Sequence, residues 1–265
     1  MSEISIKNLK NSIGKDVQIN GWVYNIRSIG KIWFVIVRDG TGYVQCVVTK
    51  NDVSDKVFKL ENSLTQESSL KIKGTVQADT RSDSGVEIFV TDIDVVHIAD
   101  EYPISLKEHG VSFLMDNRHL WLRSKKQFAI MKIRHQLIRS IRNFFDDREF
   151  VLIDSPIFTA NAVEGTTTLF ETDYFNRSAY LSQSGQLYQE AGAIAFGKTY
   201  CFGPVFRAEK SKTRKHLTEF WMVEPEMAYC DINQNMDIIE EFMSNVIKDA
   251  LDNCADELKI LERDI

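Results

Sequence analysis

The sequence has few cysteines and no long apolar run, and both absences narrow the class of protein. Its four cysteines are far apart and fit neither a zinc-binding spacing nor a disulfide framework. No apolar stretch is long enough to cross a bilayer, and the first ten residues lack the apolar core of a secretory leader. Internal repeats and low-complexity segments are absent too. We therefore expect a reduced, cytoplasmic protein that does not associate with a membrane.

The sequence also lacks an excess of positive charge, with a formal net charge of −6 over 265 residues. The cations are instead local. Residues 101–150 carry ten Lys and Arg against six Asp and Glu, and residues 207–216 carry five against one. Exposure to solvent without a function is a good explanation of the acidic stretch 226–265 but a poorer one of the basic stretch 207–216. This distribution favours a protein that touches RNA along one face only.

Five β-strand patterns occupy the first hundred residues. They cover 16–26, 31–37, 43–49, 69–78 and 86–97. Asp39 and Gly40 predict a hairpin between the second and third strands, and a helical pattern over 51–62 follows the third. Five strands with a helix after the third are typical of an OB-fold barrel. We assign residues 1–100 to such a barrel.

Helical patterns dominate the rest of the chain. Residues 101–124 show no repeated period and predict a linker, whereas two apolar stripes over 125–149 predict a long helix between two layers. Further elements are predicted at 151–159 (a strand with Pro156), 170–183 (a hairpin), 185–197 (a helix), 199–209 (a strand) and 233–262 (a helix). The fold class is therefore an α+β multidomain protein, with a second domain at 125–265.

The stretch 206–228 carries the most specific chemistry. Arg207 and Glu209 lie two residues apart, a cationic loop follows, and the next strand carries Phe220, Glu224 and Glu226. On an antiparallel hairpin, the guanidinium and the loop cations can hold a triphosphate while the ring stacks on a base. The carboxylates can hold a divalent metal or an amine. An Arg and a Glu two apart would otherwise form an ordinary surface ion pair.

This hairpin resembles motif 2 of the class II aminoacyl-tRNA synthetases, in the aspartyl, asparaginyl and lysyl subgroup. Within this subgroup, the sequence SQSGQLYQEA at 182–191 resembles the asparaginyl-tRNA synthetases. The helix, strand and proline over 125–159 are similar to motif 1, which builds the dimer interface of the class. The resemblance, which covers residues 15–265, implies an asparagine–tRNA ligase that uses ATP and Mg²⁺. It also implies L-asparagine and tRNA(Asn) as partners, an OB-fold that binds the anticodon, an antiparallel catalytic sheet flanked by helices, and a homodimer.

The resemblance assigns roles to individual residues. ATP contacts fall to Arg207, Glu209, Arg214, His216 and Phe220, with Lys212 also near the outer phosphates. Amino-acid contacts fall to Glu164, Gln186, Gln189 and Glu224. Catalysis falls to Arg207, at the α-phosphate, and to Glu226, which is also the Mg²⁺ ligand. Glu164 with Gly165 resembles a mobile loop that closes over the amino acid.

Asparagine is preferred to aspartate because of one neutral residue. The aspartate-specific relatives carry a lysine three residues after the glutamine of their QL-aromatic motif, and here that position holds Gln189. Without that cation, nothing offsets the desolvation of a second substrate carboxylate. A solvated helix position is the alternative interpretation of Gln189, and an aspartyl-tRNA synthetase stays open as the alternative enzyme.

Three barrel residues are candidates for reading RNA. Phe34 can stack on an unpaired base, Gln45 can bond its edge, and Arg27 can contact phosphate. The resemblance implies that such residues read the central uridine of the anticodon. Trp33 and Phe34 point to opposite faces of a strand, so one of the two must be buried.

A glycine-rich third motif with an ATP-clamping arginine, expected in class II enzymes, is not found after Ala228. We therefore expect an amino-terminal portion of a longer enzyme, inactive or poorly folded alone. A non-catalytic, truncated RNA-binding paralogue is the second hypothesis. A plain single-strand-binding OB-fold protein is the third, although it leaves residues 99–265 without a role.

Overall fold

Alternating apolar residues build a closed barrel in the computed structural model, which describes residues 2–82, 84–160, 169–210, 213 and 216–262. The barrel strands are β1 (Ser2–Glu3), β2 (Asp16–Ile29), β3 (Ile32–Arg38), β4 (Tyr43–Thr49), β5 (Ser69–Ala78) and β6 (Val86–His97). They run in the order β1–β2–β3–β4–β6–β5, and β5 pairs back onto β2. The predicted five-stranded barrel is therefore confirmed, with β1 added in parallel beside the start of β2.

The barrel core consists of the inward-facing side chains of all five strands. Trp33 is fully buried there, together with residues such as Ile19, Ile72 and Ile88. The helix predicted over 51–62 is shorter than expected. It begins after Ser54, whose hydroxyl accepts the Val57 N–H, as α1 (Asp55–Phe58), and continues as a 3₁₀ turn over Lys59–Asn62.

The chain divides into two compact units, Met1–Asp116 and Asn117–Ile265, and the division falls inside the segment predicted as a linker. Two short helices flank it, α2 (Val111–Asp116) and α3 (Arg118–Trp121). The long helix α4 (Lys125–Asp146) starts where the Ser124 hydroxyl accepts the Gln127 N–H. None of the helices within the described ranges is long and apolar enough to cross a membrane.

Within the described residues, the second unit contains two small sheets and three helices in addition to α3 and α4. Its strands are β7 (Val151–Leu152), β8 (Phe158–Thr159), β9 (Glu171–Tyr174), β10 (Arg177–Leu181), β11 (Lys198–Phe206) and β12 (Glu219–Met227). Its remaining helices are α5 (Gln186–Phe196), α6 (Ile232–Asn253) and α7 (Ala255–Ile260). The sheets are ordered β12–β11–β7 and β8–β10–β9.

Three sequence predictions differ from the structure in this unit. The single strand predicted over 151–159 is wrong: β7 pairs with β11, β8 pairs with β10, and Pro156, which has no N–H, lies where the chain changes sheets. The sequence predicts the turn of the β9–β10 hairpin at Asn176 and Arg177, but it lies one residue earlier, at Phe175 and Asn176, both with positive φ. The last helix is interrupted at Cys254, next to Asn253, whose side chain donates to the Asp249 carbonyl.

An aromatic cluster joins α4 and α6 to one face of the β12–β11–β7 sheet. Phe144 and Phe145 of α4 and Tyr200 and Phe202 of β11 are buried in it, and Phe242 of α6 packs against them. Phe145 and Tyr200 stack with ring centroids 4.8 Å apart. Because aromatic pairs contribute beyond their buried area, this cluster fixes the sheet on which the candidate site lies.

Candidate functional site

The β11–β12 hairpin presents one polar face. Its register pairs Val205 with Phe220 and Cys201 with Glu224. Since alternate residues point to the same side of a strand, one face of β12 carries Phe220, Met222, Glu224 and Glu226. The opposite face carries Val223, which packs against the aromatic cluster. The start of α5 lies on the polar face, because its backbone contacts Glu224.

Arg207 and Phe220 lie on the same side of the hairpin. The Arg207 guanidinium carbon is 5.5 Å from the centroid of the Phe220 ring, within the range of a cation–π contact. The Arg207 backbone N–H donates to the Thr218 carbonyl at 2.9 Å, which extends the hairpin beyond the last strand pair. A guanidinium, which is chemically able to bind phosphate, and an aromatic ring are therefore adjacent, an arrangement that suits a nucleotide.

Two residues in or beside the hairpin loop, both predicted to contact ATP, are exposed in the structure. Glu209 lies beyond the end of β11 with its side chain exposed, and His216 is also exposed, with Nδ1 hydrogen-bonded to the Thr213 hydroxyl. Three residues predicted to bind ATP or the amino acid lie outside the described residues: Lys212, Arg214 and Glu164.

Glu224 is held by the protein itself. Its carboxylate accepts the Gly185 N–H at 2.9 Å, the Ser184 hydroxyl, and the Cys201 thiol at 3.4 Å. Burial, followed by the charge of Glu224, raises the pKa of the Cys201 thiol to about 12, so the thiol stays a donor. Glu224, predicted to contact the amino acid, thus also fixes the segment from which Gln186 projects.

Glu226 lies two residues further along the same face and is half-buried. Burial, followed by the carboxylates of Glu190 and Glu224, raises its pKa. A cation beside Glu226 would remove this repulsion. No group of three or more His, Cys, Asp or Glu side chains forms a metal centre within the ranges that the structure describes. A Mg²⁺ ion here fits the usual pattern of one or two carboxylates completed by phosphate oxygens.

Gln186 and Gln189 occupy different environments on α5. Gln186 is exposed, and its amide donates to the Glu190 carboxylate at 2.9 Å. Gln189 is fully buried, so the solvated position considered from the sequence is wrong. Its Nε2 donates to the Ile153 carbonyl at 2.7 Å, while Oε1 has no partner among the described residues. Nε2 also lies 3.4 Å from the Ser155 Oγ, and a contact between Gln189 and a substrate stays a prediction.

A cavity of about 280 Å³ lies between β11 and the segment that connects β7 to β8. Asp154 and Ser155 line one side, and Cys201, Gly203 and Glu224 line the other. No local sequence signal singles out Asp154, Ser155 or Cys201, because their convergence depends on how the sheets pack. The cavity therefore brings the polar groups of Asp154 and Ser155 to the same space as Glu224 of β12.

The outer face of the barrel unites the three residues predicted to read RNA. Arg27 pairs with Phe34 across β2 and β3, and its guanidinium carbon is 4.8 Å from the ring centroid. The Arg27 side chain also donates to Gln45 Oε1 at 2.8 Å. Because Trp33 is the buried neighbour, Phe34 faces outward. Glu87 of β6, which the sequence did not single out, accepts the Gln45 Nε2 at 3.3 Å.

Two family models match the sequence. Residues 110–264 match tRNA synthetases class II (D, K and N), and residues 17–96 match an OB-fold nucleic acid binding domain. The OB-fold and the class II sheet with its flanking helices are therefore both present in this chain.

The two curated relatives described here are both asparagine–tRNA ligases, whereas the similar solved structures include asparaginyl- and aspartyl-tRNA synthetases. The chain is 55% identical over 264 residues to the asparagine–tRNA ligase of Pelotomaculum thermopropionicum, with 100% of this chain and 61% of that protein covered. It is 54% identical over 263 residues to that of Sorangium cellulosum, with 99% and 59% covered. Asparaginyl-tRNA synthetase from Pyrococcus horikoshii, complexed with asparaginyl-adenylate, matches at a TM-score of 0.88 and 40% identity, covering 94% of this chain and 58% of that one. The chain spans about three fifths of the length of the curated relatives it matches.

Proposed function

We propose, on the premise that this chain belongs to the class II tRNA synthetases of the D, K and N group, that the protein is an asparagine–tRNA ligase. The carboxylate of L-asparagine would attack the α-phosphorus of ATP, forming asparaginyl-adenylate and releasing pyrophosphate. The asparaginyl group would then pass to the 3′-terminal ribose hydroxyl of tRNA(Asn), and AMP would leave. The observation that carries this proposal is the placement of Arg207 over Phe220, on the face of β12 that also bears Glu224 and Glu226.

The nucleotide half of the site acts by electrostatics. Negative charge grows on the α-phosphate during attack, and the Arg207 fork can bond two of its oxygens. Phe220 offers a surface for adenine, and Glu209 an acceptor for its amino group. Arg214 and His216 are assigned to the outer phosphates. Mg²⁺, held by Glu226 and phosphate oxygens, would neutralise charge on the triphosphate.

The amino-acid half selects a carboxamide over a carboxylate. The position of α5 that holds a lysine in the aspartate-specific relatives is here the neutral Gln189. Its side chain is fully buried, and its Oε1 has no partner among the described residues. A substrate carboxylate would meet no compensating charge there, whereas a carboxamide N–H would meet an acceptor. Gln186 and Glu164 are assigned to the backbone groups of asparagine, and Glu224 to positioning and contact.

RNA recognition is assigned to the barrel. Arg27, Phe34 and Gln45 supply a cation, a ring and an amide on one outward face, which suits an unpaired anticodon base. A homodimer through the segment 125–159 and a cytoplasmic location complete the proposal. Exposed apolar side chains in that segment, among them Met131, support the dimer.

ATP–pyrophosphate exchange on the full-length protein tests the proposal. Asparagine should support exchange and aspartate should not. Arg207→Ala should reduce exchange by about 10² or more, the usual cost of removing one group that stabilises a transition-state charge. Arg177→Ala, which removes a cation from the distant end of β10, should leave it unchanged.

Two results would replace the proposal with its alternatives. Exchange with aspartate alone would identify an aspartyl-tRNA synthetase. Exchange with neither amino acid, together with retained RNA binding, would identify a non-catalytic RNA-binding paralogue.

A further inference from the structure

Each of the two carboxylate oxygens of Glu224 has its own side-chain donor. The Ser184 hydroxyl donates to Oε1, and the Cys201 thiol donates to Oε2 at 3.4 Å. The Gly185 N–H contacts both oxygens, with its nitrogen 2.9 Å from Oε2 and 3.2 Å from Oε1. A carboxylate has about four lone-pair positions and no donor. The three protein donors therefore leave Glu224 about one position that can accept a hydrogen bond from the amino acid.

The thiol approaches Glu224 from a different element than the other two donors. Ser184 and Gly185 are consecutive residues at the start of α5, whereas Cys201 lies on β11, directly opposite Glu224 on β12. Side chains at directly opposite positions share one face of a sheet and are in reach of each other. The last torsion of a glutamate side chain has only a broad preference of its own. The plane of this carboxylate is therefore fixed by donors from both the sheet and the helix.

The sulfur atom has little room to leave this position. Cys201 is buried, and a Cβ added at Gly185 would lie 2.4 Å from its Sγ and 2.6 Å from the Ser155 Oγ. The sulfur and the Ser155 hydroxyl therefore pack directly against the backbone of Gly185. Because the pKa of the thiol is raised to about 12, the thiol is protonated at pH 7 and acts as the donor towards Glu224.

We propose that Cys201 is a positioning residue for the amino acid, and that its thiol orients the Glu224 carboxylate so that one acceptor position faces the substrate. This inference rests on the proposed ligase function and on the predicted contact between Glu224 and the amino acid. The carboxamide N–H groups of asparagine can donate to such an acceptor, whereas the side-chain carboxylate of aspartate cannot. Without the thiol, the carboxylate turns about its last torsion and the acceptor loses its fixed direction.

Pyrophosphate exchange on the full-length protein tests this role through the KM for asparagine. Cys201→Ala should raise that KM by about threefold to tenfold, as expected for the loss of one hydrogen bond. The kcat and the KM for ATP should change by less than about twofold, because the lost contact serves substrate and transition state equally. Cys201→Ser keeps a donor and should recover a KM within about twofold of the natural value. Cys254→Ala removes a similarly buried thiol from the same unit and should leave all three constants unchanged.

The contact between the thiol and Glu224 also has an infrared signature. The S–H stretching band lies apart from the other bands of a protein and moves to lower frequency as the thiol donates a stronger hydrogen bond. The difference spectrum between the natural sequence and Cys201→Ala isolates the band of Cys201. With Glu224→Gln present in both proteins, this band should move to higher frequency, because a neutral amide oxygen is a weaker acceptor than a carboxylate.

The outcomes separate this inference from the ligase proposal. KM does not depend on the fraction of folded protein, so an unchanged KM for asparagine in Cys201→Ala would overturn the positioning role. A KM that Cys201→Ser does not recover would overturn the requirement for a donor, and a band that Glu224→Gln does not shift would overturn the contact itself. Absence of asparagine-dependent exchange in the natural sequence would instead overturn the ligase proposal, and with it the premise of this inference.

Discussion

Replacing Gly185 with alanine tests how tightly the start of α5 is packed against the polar face of β12. An added Cβ would lie 2.4 Å from the Cys201 Sγ and 2.6 Å from the Ser155 Oγ, well inside the roughly 3.5–4.0 Å of a favourable contact. The φ and ψ of Gly185, −85° and −3°, are accessible to alanine. Any loss of stability must therefore come from crowding and not from the backbone.

The magnitude can be built from two contributions. Forcing a methyl group into a packed site costs about 1–3 kcal/mol. If the shift also separates the Gly185 N–H from the Glu224 carboxylate, now 2.9 Å apart, the loss of a hydrogen bond to a charged group adds about 1.5–3 kcal/mol. Because neighbouring contributions overlap, we expect a total of about 2–4 kcal/mol.

Urea unfolding followed by near-ultraviolet circular dichroism measures this loss. With an m-value of about 1–3 kcal/mol/M, the midpoint for Gly185→Ala should fall by about 1 M or more. The matched control is Gly203→Ala, also in the cavity wall, where an added Cβ meets no atom within 4 Å. That variant should stay within about 0.5 kcal/mol of the natural sequence.

A double variant separates crowding from other causes. Cys201→Ala removes the nearest atom to the added Cβ and should recover part of the stability lost in Gly185→Ala, with a coupling that the double-mutant cycle measures. Equal midpoints for Gly185→Ala and Gly203→Ala would refute the packing argument. If the losses of stability in the two single variants simply add in the double variant, the added Cβ at position 185 does not clash with the Cys201 Sγ.

Three further perturbations have defined outcomes. Phe145→Ala should lower the free energy of unfolding by about 3–5 kcal/mol, since the ring is 1% exposed within the aromatic cluster. Phe34→Ala should weaken RNA binding by about 1–3 kcal/mol, as expected for loss of one stacked base, with little change in unfolding. A hydrogen bond from Arg148 lowers the pKa of Glu241, so this contact stabilises the protein above pH 4.5, the ordinary value, and is lost as the pH falls through the lowered pKa. Glu241→Gln should therefore lower the urea midpoint more at pH 7 than at pH 3, and Glu240→Gln, at the neighbouring position, should lower neither.

Local patterns predicted the barrel well because the residues that end each strand lie next to it in the sequence. The predicted segments 43–49, 69–78 and 86–97 coincide with β4, β5 and β6, where apolar alternation ends at turn residues. The predicted strand at 151–159 failed for a tertiary reason. Its two halves pair with different sheets, and the switch depends on partners 48 residues further along the chain for β7 and 21 to 23 residues further for β8.

The candidate site was predictable in its residue types but not in its hydrogen-bond partners. Alternation placed Phe220 and Glu224 on one face before any coordinates, because a strand has a period of two. The burial of Gln189 was not predictable in this way. A polar residue on a short helix is usually solvated, and only the packing of α5 over Ile153 reverses that expectation.

Glu87 and Glu224 show why acidic residues near a ligand are easily misassigned from sequence. A carboxylate can only accept, so in a partly buried place it takes the nearest donors: the Gln45 amide for Glu87, and Gly185 with Ser184 for Glu224. In both places the acid holds another group that is predicted to face the ligand. Loss of such an acid should reduce discrimination between ligands more than it reduces binding itself, because the contacting group remains but no longer has a fixed direction.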